Sequence, residues 1–368
     1  MSDEEPDGQC GLSPVALTDQ SIVKSAFSNL AQPVSDYSFA SVYIWRSALR
    51  LWWTRRHQHV CLFANGFEDL TMLAPPVPEP GATRAGLRRA LEVAFEIMDA
   101  YNAGHDGACA GSRIEYVSDE MLERVSDVCG GGLRLSAGPM SGDYLYAVGD
   151  MIDLPGGAFR SKRRLRLKFL RENPEWRTAP LGDEHTAACL ELLDVWQHHA
   201  DAKHEGQITE DDGRTQTAVL RRRETSACEL ALMHREPLGL TGMALYSGPR
   251  LVGFTLGERL SPAQASIVIE KTHPECEGAP QFIFSEFCRQ CWRNYPEINV
   301  GDDWGIPTLR FTKESYHPIR RLNKYVLTRP APAARLISVG PRKAAGHESD
   351  ACAANVGDPS GPGPRGCG

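Results

Sequence analysis

The densest chemistry in the sequence lies near its C-terminal end. Asp302 and Asp303 directly precede Trp-Gly-Ile-Pro307-Thr-Leu-Arg310-Phe-Thr-Lys313-Glu-Ser-Tyr316-His317-Pro318. Pro307 suits the first turn of a helix, and the segment ends before His317-Pro318. Arg310 and Lys313, three apart, then share one helix face. Two cations on one face can hold a phosphate and stabilise an oxyanion, or simply face solvent. Of the two carboxylates, one suits the helix N-terminus. The other, Asp303 by preference, suits a general base or an ammonium-binding group. Glu270 closes a strand-like run as a further acid. Tyr316 reads two ways: a donor to a carbonyl, or a core residue whose hydroxyl finds a partner.

A second feature is electrostatic. Arg160 to Arg171 reads RSKRRLRLKFLR, seven basic residues and no acid, in a chain whose net charge is −7. Such segregation points to a local anion partner rather than a general nucleic-acid coat. Lys162, Arg163, Arg164 and Lys168 are the candidate phosphate contacts, since such contacts bind backbone without reading sequence. The segment alternates like a strand, yet so many like charges would repel along one. A helix with a basic face is expected.

A third pattern is set aside. His273-x2-Cys276 and Cys288-x2-Cys291 have zinc-like spacing, but both cysteines of the second pair fall inside an amphipathic helix pattern beside Phe287 and Trp292. Free buried cysteines are expected there, with no metal. Eleven cysteines, an odd number scattered singly behind an acidic N-terminus, suggest reduced thiols and a cytoplasmic protein. The longest run without a charged side chain, Pro237 to Pro249, is 13 residues, against the ~20 a membrane span needs.

The elements that must position these residues are legible in part. Hydrophobic residues make up 42% of the 368, an ordinary globular share. Residues 1–17 read as a flexible arm. Residues 330–368 hold 13 Gly or Pro and read as a disordered tail. Between them, residues 36–51 fit helix or strand, and 59–64 read as a buried strand. A helix runs from Thr83 to Ala100 with Leu87, Leu91, Ala94, Phe95 and Met98 on one face. A strand follows at 114–117, with Ser118 as N-cap of the next helix. The Gly-rich stretch 129–142 reads as loop, and 184–201 as a helix. Then come strands at 241–247, 251–258 and 265–271, a helix at 281–293, a strand at 297–300, the helix from Pro307 and a strand at 325–328. Three antiparallel strands, helix, strand, helix, strand is the order of a GNAT acyltransferase core after its first helix. The fold class is α+β, with mixed, mostly antiparallel sheets flanked by helices.

Several stretches then resemble the lysylphosphatidylglycerol synthase C-terminal domain family over about residues 20–328. They are Tyr37-Ser-Phe-Ala-Ser-Val-Tyr-Ile-Trp45, Asp143-Tyr144-Leu145-Tyr146, Gly157-Ala-Phe-Arg-Ser-Lys162-Arg163 with Lys168-Phe169, Val252-Gly-Phe-Thr-Leu-Gly257-Glu258, Glu270-Lys271, the long motif from Asp302 to Pro318, and Lys324-Tyr325. The resemblance implies two tandem GNAT-like lobes, 18–158 and 159–329, the second carrying the basic helix. It also implies transfer of an aminoacyl group from aminoacyl-tRNA to a hydroxyl or amine. Asp303, Lys313, Arg310, Glu270 and Tyr316 would be the catalytic set, and Lys162, Arg163, Arg164 and Lys168 the tRNA contacts. Aminoacyl-tRNA is then a co-substrate and no other cofactor is expected. The acceptor is a lipid head group, met by peripheral membrane contact, or a small metabolite. The family often has Asn-Arg-Glu where this chain has Asn299-Val300-Gly301, so acceptor choice is open.

Two other classes compete. A coenzyme A-dependent acyltransferase needs Gln/Arg-x-x-Gly-x-Gly/Ala in a loop whose amides cradle a pyrophosphate. Arg250-Leu-Val-Gly253-Phe-Thr255 comes nearest and lacks the last small residue. A non-catalytic module binding tRNA or another anion would need only the basic surface.

Overall fold

The computed structural model describes residues 11–330 except 32, 68, 105–110 and 206–211; the expected tail from 331 on and the first ten residues of the arm lie outside the described residues. The first half runs β1 (Ser13–Pro14), α1 (Gln20–Phe27), α2 (Phe39–Trp45), β2 (Leu51–Arg56), β3 (His59–Phe67), β4 (Asp69–Met72), β5 (Val77–Pro78), α3 (Arg84–Ala103), β6 (Arg113–Ser118), α4 (Asp119–Ser126), β7 (Ser136–Ala147) and α5 (Val148–Asp153). The second runs α6 (Arg160–Glu172), β8 (Trp176–Pro180), α7 (Thr186–Glu205), α8 (Asp212–Met233), α9 (Arg235–Leu238), β9 (Thr241–Ser247), β10 (Arg250–Arg259), β11 (Gln264–Thr272), α10 (Ala279–Phe287), β12 (Glu297–Asn299), α11 (Pro307–Glu314) and β13 (Arg320–Thr328).

The helices form where caps and apolar spacing ask for them. The Thr83 hydroxyl accepts from the Gly86 amide at 3.0 Å, and α3 buries Leu87, Leu91, Ala94, Phe95 and Met98 as its period dictates. Ser118 caps α4 and Ser38 caps α2 in the same way. The basic segment is a helix, α6, and Pro307 opens α11.

One order of elements occurs twice. The series β2-β3-β4-α3-β6-α4-β7, with short β5 inserted, matches β9-β10-β11-α10-β12-α11-β13. The sheet order, β1-β2-β3-β4-β6-β13-β7-β12-β11-β10-β9-β8, reads symmetrically from both ends. Each series gives its last strand to the other: β13 lies between β6 and β7, and β7 pairs with β12. The expected division at residue 158 therefore separates the repeats along the chain but not in the sheet. Pairing is antiparallel except at β4–β6 and β11–β12. The second of these is brief. It stops at Ser266–Asn299, while β11 continues to Thr272. The two strands splay beyond that point, leaving the far half of β11 open.

Two expectations need revision. The arm is sheet by residue 13, where Ser13 and Pro14 pair with Trp53 and Trp52, and Leu12 and Val15 are buried. The stretch read as loop enters strand at Ser136, because β7 is central and its backbone is paired to β13 from Ser136 onward. Gly142 explains the misreading. A Cβ there would stand 2.2 Å from the Leu322 carbonyl oxygen, so glycine serves a close strand approach at a bulge, not a turn. Strand β8 and helix α8 carry no clear signal in the sequence. Among the described residues no helix is long and apolar enough to cross a membrane.

Candidate functional site

The motifs that stand out in the sequence meet where the swapped strands cross. Lys324 on β13 is fully buried. Its ammonium lies 2.6 Å from Asp143 Oδ1 on β7 and 3.0 Å from Asp302 Oδ2, and it pairs with Asp36 in the loop before α2. Among the described residues these three carboxylates are also close enough to share a metal ion, but the Lys324 ammonium already bonds all three. Burial alone would raise Asp143. The Lys324 charge, with hydrogen bonds from the Ser35 amide and the Asn299 side chain, overcomes it and holds the carboxyl below the usual range. Burial dominates at Asp36 and lifts it to about 6, against Lys324 and with its acidic neighbours. Lys324 itself is held well above an ordinary lysine, since three carboxylates outweigh its desolvation.

One layer outward sits Asp303, also fully buried. Its Oδ1 accepts from the Ser141 hydroxyl at 2.6 Å and the Gly305 amide at 2.9 Å. Its Oδ2 accepts from the Tyr144 hydroxyl at 2.6 Å and Arg310 Nε at 3.0 Å. Burial is opposed by these donors, which hold the carboxyl far below the usual carboxylate range. A group so firmly ionised and so fully bonded is a poor base at neutral pH. Its geometry is that of a post fixing Arg310 and Tyr144.

Lys313 reaches back from α11. Its ammonium donates to the Val300 carbonyl at 2.6 Å and to the Asp302 carbonyl, which leaves one proton for a ligand. Burial brings it down to about 8 despite the nearby aspartates. Gly301, at φ 68°, lines the same spot. A Cβ there would lie 3.7 Å from Ser35 Oγ and 3.8 Å from Lys313 Nζ, so glycine leaves this face of the lysine uncovered. Trp304 and His317, at φ 50° and 53°, are bulky residues in left-handed backbone within the same motif; such conformations cluster at functional sites.

The remaining predicted residues face the second cluster, in the aromatic core under α6 and α10. Tyr316 is buried against Tyr146 and Phe284, at ring separations of 5.8 and 5.6 Å. The Lys162 ammonium lies 4.1 Å from its ring centroid. The Tyr146 hydroxyl donates to the Lys313 carbonyl at 2.8 Å and so ties this cluster to the first. Glu270 stands on the splayed part of β11. Its Oε2 is buried without a hydrogen-bond partner, and burial pushes the carboxyl up to about 8.

The basic helix divides in a way its sequence does not announce. Lys162 is buried, Arg163 donates to the Leu154 carbonyl, and Arg166 bonds the Ile152 carbonyl and the Ser285 hydroxyl, each at 2.8 Å. Lys168 pairs with Glu277. Of the four predicted phosphate contacts, only Arg164 faces solvent; it does so with Arg160, Leu167 and Arg171, which share its face at helical spacing. Of the four zinc-like residues, Cys276 and Cys291 are half-buried free thiols. His273 Nδ1 accepts from the Glu275 amide and Nε2 meets Arg250, while Cys288 is buried at a π-helical turn. Arg250 to Thr255 lies within β10, not in a loop at a helix start. Residues that sequence reasoning passed over are Asp36, Ser141, Tyr144 and Arg321, whose guanidinium lies 3.8 Å from Asp303 Oδ2 and over the Tyr144 ring. Asp36 and Tyr144 adjoin or sit in the motifs quoted, so adjacency was the available signal.

The model of the family described as "Phosphatidylglycerol lysyltransferase, C-terminal" matches residues 27–328. No curated protein matches the chain in sequence. Among solved structures, a conserved protein of unknown function from Bacteroides thetaiotaomicron is similar, with 24% identity, 87% of this chain and 99% of that chain covered, and TM-score 0.70. L-PGS from Bacillus licheniformis shares 12% identity over 84% of this chain and 92% of that one, TM-score 0.55. The C-terminal domain of a protein titled a lysylphosphatidylglycerol synthetase, from Agrobacterium fabrum, shares 12% over 85% and 92%, TM-score 0.54. At these identities the likeness is one of fold.

Proposed function

The chain belongs to the phosphatidylglycerol lysyltransferase C-terminal family, and on that premise we propose that it transfers an aminoacyl group from aminoacyl-tRNA to a hydroxyl or amine acceptor, working in the cytoplasm. The observation that carries the reading is the joining of two clusters by Tyr146. One holds a lysine, Lys313, with a proton to spare. The other holds an unpartnered buried acid, Glu270, at the open edge of β11.

In this reading the acceptor enters at the splay of β11 and β12. Glu270, in its ionised form, takes the proton of the acceptor hydroxyl or amine. The acceptor atom bonds to the ester carbonyl carbon, and the bond to the ribose oxygen breaks as that oxygen regains a proton. Lys313 steadies the negative charge on the carbonyl oxygen, with Tyr316 beneath it. Asp303 positions Arg310 and Tyr144 and moves no proton. The exposed arginines of α6, Arg160, Arg164 and Arg171, supply sequence-independent phosphate contacts to the tRNA; Arg163 and Lys168 are already bonded within the protein.

The test is incubation of the purified protein with radiolabelled aminoacyl-tRNAs and a cell extract. Label should move to a non-tRNA product, ribonuclease should abolish transfer, and acetyl coenzyme A should be unnecessary. Ribonuclease-resistant turnover that consumes a coenzyme A thioester would overturn the reading.

A further inference from the structure

We propose that the first repeat holds a small-molecule site of its own, between β4 and β6, which binds a small α-amino acid as its dipolar ion. The site is separate from the Lys313 and Glu270 clusters and does not rest on the transferase reading.

The backbone opens the place. β4 and β6 are the first repeat's counterparts of β11 and β12, and they share one ladder pair, Met72–Ile114. Both neighbouring ladders are bulged. Between Ala64 and Phe67, β3 carries one residue more than β4 does opposite it. Between Ile114 and Val117, β6 carries one residue more than β13. Bulges re-aim side chains and gather beside functional sites. The bulge in β6 sets Tyr116 at φ 53°, left-handed backbone that is costly for a bulky residue. Gly66 from one bulge, with Glu115 and Tyr116 from the other, line a cavity of about 30 Å³ that is partly open to solvent. One water needs roughly 10–15 Å³, so the space suits the charged head of a small molecule and little more.

The lining carries both signs of charge. Arg113 Nε donates to Glu115 Oε1 at 2.6 Å, and Nη1 donates to Asp69 Oδ2 at 3.0 Å and to the Gly111 carbonyl at 3.2 Å. Arg113, Glu115 and Asp69 all line the cavity, together with buried Thr71. These bonds fix the guanidinium and leave its Nη2 group without a protein acceptor among the described residues. Tyr116 is bonded through its carbonyl and amide, to the Tyr37 hydroxyl and the Met140 sulfur, and not through its own hydroxyl. Burial, with Asp36, Glu115 and Asp302 nearby, outweighs Lys324 and keeps that hydroxyl a protonated donor. At the rim, Arg223 of α8 donates to the Gly66 carbonyl.

Two guanidiniums and two carboxylates thus meet around one small space, and the charges select the ligand. A lone carboxylate would satisfy Nη2 and the Tyr116 hydroxyl but would face Asp69 and Glu115. A lone amine would suit the acids and leave both donors unanswered. A dipolar ion meets each need. Its carboxylate accepts from Arg113 Nη2 and Tyr116, and its ammonium donates to Glu115 and the Thr71 hydroxyl. Leu49, Ala64 and Leu73 supply the apolar lining for a side chain as small as that of alanine.

The test uses the full chain, with titration calorimetry and thermal unfolding against L-alanine, glycine, propionate and ethylamine. Betaine, whose ammonium cannot donate, measures the general solute effect. Alanine and glycine should give saturable heats and raise the melting temperature beyond betaine. Propionate and ethylamine, each half of the ligand, should bind roughly tenfold more weakly or worse. Tyr116→Phe removes a hydroxyl that bonds nothing in the protein, so it should melt as wild type does. It should still weaken alanine binding about tenfold, the loss of one charge-assisted hydrogen bond. Glu115→Gln should weaken alanine binding and bring propionate level with it, since a repelling charge is gone. Absence of binding by both alanine and glycine overturns the site. Equal alanine binding by wild type and Tyr116→Phe does so too, as does propionate binding the wild type as tightly as alanine. No tRNA, acceptor or turnover enters these readouts, so the site and the transferase reading fail independently.

Discussion

Glu270→Gln should make the protein more stable at neutral pH, relative to acid, and less active. The Glu270 carboxyl moves from its ordinary 4.5 to about 8 because burial disfavours its charge and no cation or donor compensates. Between those values the folded state holds a proton that the unfolded chain has released. Stability is therefore full below pH 4.5 and falls as pH rises. The loss is on the order of 3 kcal/mol by pH 7 and about 5 kcal/mol above pH 8, at ~1.4 kcal/mol per pH unit. Glutamine has nearly the same shape and does not titrate. Urea unfolding of both proteins at pH 5 and pH 7 should show the difference between them shift by about 2.5 kcal/mol in favour of the variant. Transfer activity should move the opposite way, falling about a hundredfold or more. The wild-type rate should climb toward pH 8, and the variant should lose that climb. A stability difference that does not change with pH would mean that Glu270 is ionised and paired in solution. Wild-type turnover in the variant would remove it from the chemistry.

Lys313→Ala should lower kcat by about a hundredfold with a smaller effect on the apparent donor constant, since the lysine acts on charge that develops in the transition state; steady-state kinetics at several donor concentrations separates the two. Asp303→Asn should cost about 2–4 kcal/mol in chemical denaturation, because four donors now face a neutral group at a fully buried position. An unchanged midpoint would contradict the post assigned to it. Replacing Arg160, Arg164 and Arg171 together with glutamine should reduce the log–log salt slope of tRNA binding by about 2, while Arg163 and Lys168 replacements leave it nearly unchanged. Filter binding across a salt series reads both.

What the sequence determined by itself is local. The spacing of Leu87, Leu91, Phe95 and Met98 made α3, Ser118 and Pro307 began α4 and α11, and the charge density of 160–171 favoured a helix. Each signal lies within one or two turns of the residue it governs, where caps and side-chain period act. The chain also carried its candidate site in order, from Tyr37 to Lys324, because acids, cations and tyrosines at fixed spacing are visible without a fold.

Partnership was decided only by tertiary structure. Ser141 meets Asp303 across 162 positions, and Ser35 meets Asp143 across 108. No periodicity reports such contacts. Gly-Pro-Met-Ser-Gly looks like loop until β13 arrives to pair with it, because a strand's backbone bonds come from another strand. The exchange of β7 and β13 between the repeats is likewise invisible along the chain. Sequence alone could not tell Asp303 from Glu270, two acids suited to the same work. Burial raises both, and what separates them is the company at the side chain: four donors around one, none around the other. In the same way a uniform basic run became outward arginines and inward cations held by carbonyl oxygens or a tyrosine ring, because a helix turns successive charges to different faces and only the packed core decides which partner each one meets.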